Sequence, residues 1–186
     1  LSKSVEITKG KLLLAEPFML DPNFKRAVVF LCDHQEEGSM GFILNKPLKI
    51  KVDELITDFP EFDSNVYYGG PVATDTIHYL HRLGDLIEDS VPAGNNVYWG
   101  GNFEKLKFLI SSGVVKPGSI KFFAGYSGWS PGQLNEEMFI GSWIAADMDP
   151  NYLFSVRPRE LWSKVLRIKG DIYSVLAGMP ENISWN

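Results

Sequence analysis

Apolar positions along this chain come in short runs broken by Gly, Pro, Asn and Asp, the pattern of a strand-rich fold. Lys11 to Ala15 is such a run, closed by Pro17, and predicts a first strand. Turn chemistry follows at Leu20-Asp21-Pro22-Asn23, where Asp bonds its own backbone and Pro fixes φ. Arg26 to His34 and Met40 to Leu44 then predict a hairpin joined by Gln35-Glu36-Glu37-Gly38, with Asn45-Lys46-Pro47 as its stop. Lys51 to Asp58 predicts a short acidic helix ended by Pro60. Asn65 to Gly70 (NVYYGG) is echoed 31 residues later by Asn96 to Gly101 (NVYWGG), in each case an aromatic strand running into a Gly-Gly corner. Two such copies do not make a solenoid. Thr76 to Leu83 predicts another strand, and Asn102 caps a helix from Phe103 to Ser111 that stops at Gly113.

The stretch Phe122 to Ala146 organises the rest. It predicts a buried strand, a glycine-rich corner, one short helix and a second buried strand from Ser142. Ser130 is expected as the helix N-cap, with Pro131 at the first helical position and Gln133 completing an S-x-x-Q capping box. Asp149-Pro150 predicts a turn and Tyr152 to Val156 a last strand. Pro158 opens a C-terminal helix whose buried face is expected at Leu161, Val165, Ile168 and Ile172, bent or split at Gly170 and ended by Gly178 and Pro180. No linker or low-complexity segment divides the 186 residues, so the reading is one α+β domain, mostly antiparallel, with three or four helices.

Composition narrows the class. An apolar share of 45% and a charged share of 22% are those of a globular protein, and no apolar run is long enough to span a bilayer. Leu1 to Gly10 carries no signal-like apolar region, and the single cysteine excludes an internal disulfide framework; together these predict a reducing, cytoplasmic setting. A net charge of −5 weighs against nonspecific attraction to nucleic acid or anionic lipid.

The blocks GKLLLAEP, DPNFKRAVVFLCDH, GSMGFILNKP, VYYGGPV and GYSGWSPGQLNEE occur in this order over most of the chain. In them the chain resembles the AlgH/YqgE-like family of bacterial proteins, as a single such domain over residues 1–186. For the fold, the resemblance implies a mostly antiparallel, bifurcated sheet forming a pseudo-barrel with helices packed outside. For function it implies no established activity; one branch carries the name of transcriptional regulator, a label without a mechanism. The chain departs from the family pattern at Thr76-Ile77-His78-Tyr79, where an Arg-Gly pair is expected, so no role of that arginine transfers.

Candidate chemistry is sparse. Cys32 and His34 are two apart on a predicted strand, which puts them on one face with Cα atoms roughly 6–7 Å apart, as a thiol nucleophile and its partner require. A free cysteine beside Val28 and Phe30 is more commonly a small buried hydrophobe. His78 and His81 lack the spacing of a zinc site, and His81 reads as a core histidine, so no metal or other cofactor is expected. Gly69-Gly70 and Gly100-Gly101 turn tightly or expose amides to an anion, but fit no phosphate-binding motif. Glu136 and Glu137 do not converge as acid and base and read as a solvated helix face. The C-terminal helix is basic (Arg157, Arg159, Lys164, Arg167 and Lys169 against Glu160), yet no helix-turn-helix accompanies it.

The leading expectation is a module that binds a small molecule or protein partner. Its site gathers Gly69, Gly70, Tyr126, Ser127, Trp129, Ser130 and Gln133, because glycines, aromatics and neutral polar groups line binding clefts. The alternatives are a thiol-dependent or hydrolytic enzyme using Cys32 and His34, and a transcription-related nucleic-acid-binding regulator. Ligand and oligomeric state lie beyond the sequence.

Overall fold

Strand β1 (Leu12–Ala15) is buried along its whole length, Leu12 and Leu14 on one face and Leu13 and Ala15 on the other. That double burial is why it reads as an unbroken apolar run rather than an alternating one. The structure, a computed structural model, describes residues 6–181, so the reading of Leu1 to Gly10 falls partly outside the described residues.

β1 lies between β2 (Val28–Gln35) and β10 (Trp143–Ala146), antiparallel to both. β2 pairs with β3 (Gly38–Ile43) as the expected hairpin. β3 then joins β9 (Ile120–Trp129) through Ser39–Trp129 to Gly41–Ser127. The lower half of β9 sits between β5 (Asn65–Tyr68), to which it is parallel, and β6 (Val72–His81), to which it is antiparallel. β4 (Pro47–Lys51) pairs with β5, and β8 (Val97–Trp99) joins β6 to β7 (Val91–Gly94).

The ten-stranded sheet is therefore mostly antiparallel and forks at β9, as the resemblance implies. It does not close into a barrel. The β7 end is instead tied to the residues before β1 by side chains, Asn95 Nδ2 donating to the Gly10 carbonyl and Lys9 Nζ to the Pro92 carbonyl, both at 3.0 Å.

Several elements differ from the sequence expectation. The glycine-rich corner after Phe122 is not a corner: β9 continues through Gly125 to Trp129, with Gly125 at φ 69° where the strand passes from one half of the sheet to the other. The reason is crowding. A Cβ on Gly69 would lie 2.3 Å from the Gly125 carbonyl oxygen, and one on Gly70 would lie 2.3 Å from the Tyr126 carbonyl. The glycines let two backbones cross.

The expected acidic helix shrinks to one turn, α1 (Val52–Leu55), because Lys51 belongs to β4 and the chain leaves helical geometry at Ile56 (φ −102°, ψ 121°), with Asp58 at φ 60°. The expected last strand is a helix, α4 (Pro150–Phe154): Asp149 accepts the Asn151 amide at 2.9 Å as N-cap, and Pro150 takes the first helical position. The C-terminal helix divides at Gly170 (φ 131°) into α5 (Pro158–Ile168) and α6 (Asp171–Ala177). The break ends the expected stripe, leaving Ile168 66% and Ile172 70% exposed. Leu161, Trp162, Val165 and Leu166 bury α5 instead, with the Trp162 indole donating to the Ala15 carbonyl.

α2 (Phe103–Ser111) and its Asn102 cap are as expected, the Asn102 side chain accepting the Lys105 amide at 2.9 Å. α3 (Gln133–Phe139) covers the Leu13 face of the sheet through Leu134. Its N-cap is Gly132 rather than Ser130. Only half of the capping box forms: Gln133 Oε1 accepts the Ser130 amide at 3.0 Å, while the Ser130 hydroxyl donates to the same oxygen. Six helices are present among the described residues, more than the three or four expected.

Candidate functional site

Cys32 occupies a β-bulge, the extra residue between the Leu31–Gly41 and Asp33–Met40 pairs. The bulge breaks the alternation on which the shared face of Cys32 and His34 depended. Cys32 enters the core with Phe30 and Phe42, and its neighbour Asp33 lines a recess beside Met40. His34 turns to a different recess beside Leu134, its Nδ1 2.6 Å from Ser39 Oγ. Burial, and secondarily the Asp33 carboxylate, push the Cys32 thiol far up. It is a core side chain, not a thiolate.

The glycine corners spend their backbone groups internally. The Gly69 amide donates to Ala124, and its carbonyl accepts the Ile43 amide and the buried Ser127 hydroxyl at 3.0 Å. The Gly100 amide donates to Tyr79, and the Gly100 and Gly101 carbonyls accept from His81 Nε2 and the Tyr79 hydroxyl. Neither corner presents a row of free amides to an anion.

Trp129 is equally committed. Its indole donates to Glu137 Oε2 at 2.7 Å, the Trp143 indole donates to the same oxygen at 3.1 Å, and Gln133 Nε2 reaches Glu137 Oε1. Glu137 is thus a clamp for two tryptophans rather than the solvated face expected. Ser130, Gln133 and Trp129 serve that clamp.

Of the expected binding residues, Tyr126 and Trp129 line a recess of about 570 Å³ that also takes in Asp33, Glu37, Met40, Val72, His78, Trp99 and Gly128. Ser127, Gly69 and Gly70 hold the backbone beneath. Three rings meet there, His78 lying 5.9 Å from Tyr126 and 6.2 Å from Trp99, with Phe42 behind His78 at 5.3 Å. The Thr76 hydroxyl donates to the Ala73 carbonyl at 2.7 Å, so its contact with His78 Nε2 at 3.0 Å needs the ring to donate. That leaves Nδ1 as an acceptor, and burial lowers the His78 pKa, favouring this neutral form. The lining holds two carboxylates and no Lys or Arg.

Sequence reasoning named His78 only as an unconvincing metal ligand and did not place Asp33, Met40 or Trp99 at a site. The Gly-Gly echo marked Trp99, but β8 meets β9 only through β6, a relation no local pattern reveals. Among the described residues no group of three or more His, Cys, Asp or Glu could hold a metal ion, and no helix is long and apolar enough to cross a membrane.

Comparison with known proteins defines the class. The family model described as AlgH-like matches residues 12–174, and the chain belongs to that family. A UPF0301 protein of Chlorobaculum tepidum is 47% identical over 182 residues, 97% of each chain. One from Cytophaga hutchinsonii is 41% identical over 94% of this chain and 96% of its own. The solution structure of AlgH from Pseudomonas aeruginosa matches with a TM-score of 0.72 at 30% identity, covering 96% of this chain and 98% of that one. A crystal structure from Corynebacterium diphtheriae, at 22% identity, shares the fold with a TM-score of 0.78 over 94% and 93%.

Proposed function

We propose that this protein is a cytoplasmic small-ligand-binding module whose ligand occupies the recess between His78, Trp99 and Tyr126. The observation that carries the reading is the composition of that recess: three converging rings, a histidine nitrogen free to accept, two carboxylates and no cation. Such a lining favours a flat ligand bearing N–H donors, neutral or positively charged, because ring faces attract cations and the carboxylates repel anions. Its volume of about 570 Å³ lies within the usual range of small-molecule sites. The buried, un-ionised Cys32 weighs against the thiol enzyme.

The test is thermal-shift and tryptophan-fluorescence titration with paired aromatic amines and aromatic carboxylates. Amines are expected to stabilise the protein and quench its fluorescence where the matched carboxylates do not. Both responses should vanish in the double variant Trp99→Leu, Tyr126→Ala. Equal or absent responses to the two ligand classes would overturn the reading.

A further inference from the structure

Lys121 is the one buried lysine among the described residues, 9% exposed. It lies on β9 between Ile120 and Phe122, which face the α2 core. Its ammonium makes no hydrogen bond or ion pair among the described residues, and Nζ stands 4.0 Å from the centre of the Tyr67 ring. The nearby acid does not help: Asp63, at the same recess, is bridged to Lys51 at 2.9 Å. The recess beside Lys121 has about 200 Å³ and is walled by Tyr67 and by Leu153, Phe154 and Val156 at the end of α4. That volume is below the roughly 300–1,000 Å³ of sites for larger ligands, so its occupant is small. Asp63, Ser64 and Asn65 also line the recess, but a buried cation set against the Tyr67 ring without an ion pair is costly, and the cost falls on the charged form.

We propose that Lys121 is a nucleophilic amine and that its recess takes a small carbonyl compound, an aldehyde or oxo acid of a few carbon atoms, held as an imine. The ammonium first releases a proton to solvent. The neutral amine then attacks the carbonyl carbon to give a carbinolamine, which loses its oxygen as water with both amine hydrogens, so that a C=N double bond replaces the C=O double bond. No oxidant or reductant enters, and water reverses the step.

Burial brings the Lys121 ammonium down to about 8, although the Tyr67 face favours the charged form and works against this. At neutral pH about a tenth of such an amine is free, against less than about a thousandth for an ordinary lysine.

The experiment exposes the whole protein to glyoxylate and cyanoborohydride, which reduces an imine to a stable secondary amine, and locates the adduct by peptide mapping. At pH 7.5, Lys121 is expected to be labelled at least tenfold faster than exposed Lys116 and Lys164, and the excess should shrink as the pH approaches 10. Labelling no faster than at the exposed lysines overturns the proposal. A folded Lys121→Arg variant should lose the fast phase seen by intact mass, and its persistence there also overturns it. Should that variant fail to fold, the site-resolved rates in the unaltered protein decide alone.

Discussion

Glu137 Oε2 accepts the Trp129 indole N–H at 2.7 Å, tying the middle of α3 to the last residue of β9. The same oxygen holds Trp143 on β10, and the two indoles meet edge to face at 5.9 Å. Replacing Glu137 by Leu leaves two largely buried N–H groups unpaired, at about 1–3 kcal/mol each. The expected loss in denaturant unfolding is about 2–6 kcal/mol. Glu137→Gln keeps an acceptor and should lose clearly less; equal losses would mean that packing, not the hydrogen bonds, matters.

His81 gives the protein an acid limit. It is fully buried, its Nε2 donating to the Gly100 carbonyl at 2.7 Å and its Nδ1 accepting the Leu83 amide at 3.0 Å. A second proton would have to enter on Nδ1 against that amide. Burial lowers its pKa below the ordinary 6.5, outweighing the opposite pull of the Gly100 carbonyl. The unfolded chain therefore binds the proton first. Stability is expected to be level above about pH 7 and to fall as the pH drops through 6.5 toward the native pKa, by up to about 1.4 kcal/mol per pH unit. His78, lowered in the same direction, adds to the slope. In His81→Gln, unfolding curves from pH 5 to 8 should show a shallower fall.

Two glycines separate crowding from backbone conformation. Gly69→Ala drives a methyl into the Gly125 carbonyl, backbone against backbone, and should prevent folding or cost more than about 3 kcal/mol. Gly132→Ala meets open space at φ 77° and should cost only about 1–2 kcal/mol. Circular dichroism and thermal unfolding check both. A mild effect at Gly69 would mean that the β5–β9 crossing relaxes.

Cys32 should resist modification. With the thiol buried and its ionisation suppressed, Ellman's reagent at pH 8 is expected to react at least a hundredfold slower than in the urea-unfolded chain. Comparable rates would return Cys32 to the list of candidate nucleophiles.

How much of this the sequence carried depended on the range of the interactions. The β2–β3 hairpin and the Asn102-capped helix were legible because their determinants lie within a few residues of each other. Tyr152 to Val156 reads as a strand because its aromatic, apolar character outweighs the Asp149-Pro150 pair, a helix start as much as a turn. Gly125 and Gly128 were read as a corner, since nothing nearby in sequence reveals that Gly69 and Gly70 pass against that strand. The bulge at Cys32 was likewise invisible, and it separated the expected Cys–His pair. Tyr126 and Trp129 were marked in advance, but their recess is completed by His78 and Trp99 from strands whose order only the fold determines.

The position of β9 has a consequence during synthesis. It serves three ladders at once and comes late in the chain, so a nascent polypeptide reaching residue 119 holds the segments of the β2–β3 hairpin and of the β6–β8 unit without the strand whose ladders run between them. Loss of a segment from Ile120 onward would strand both pieces with raw edges, ready to pair with other chains rather than with each other.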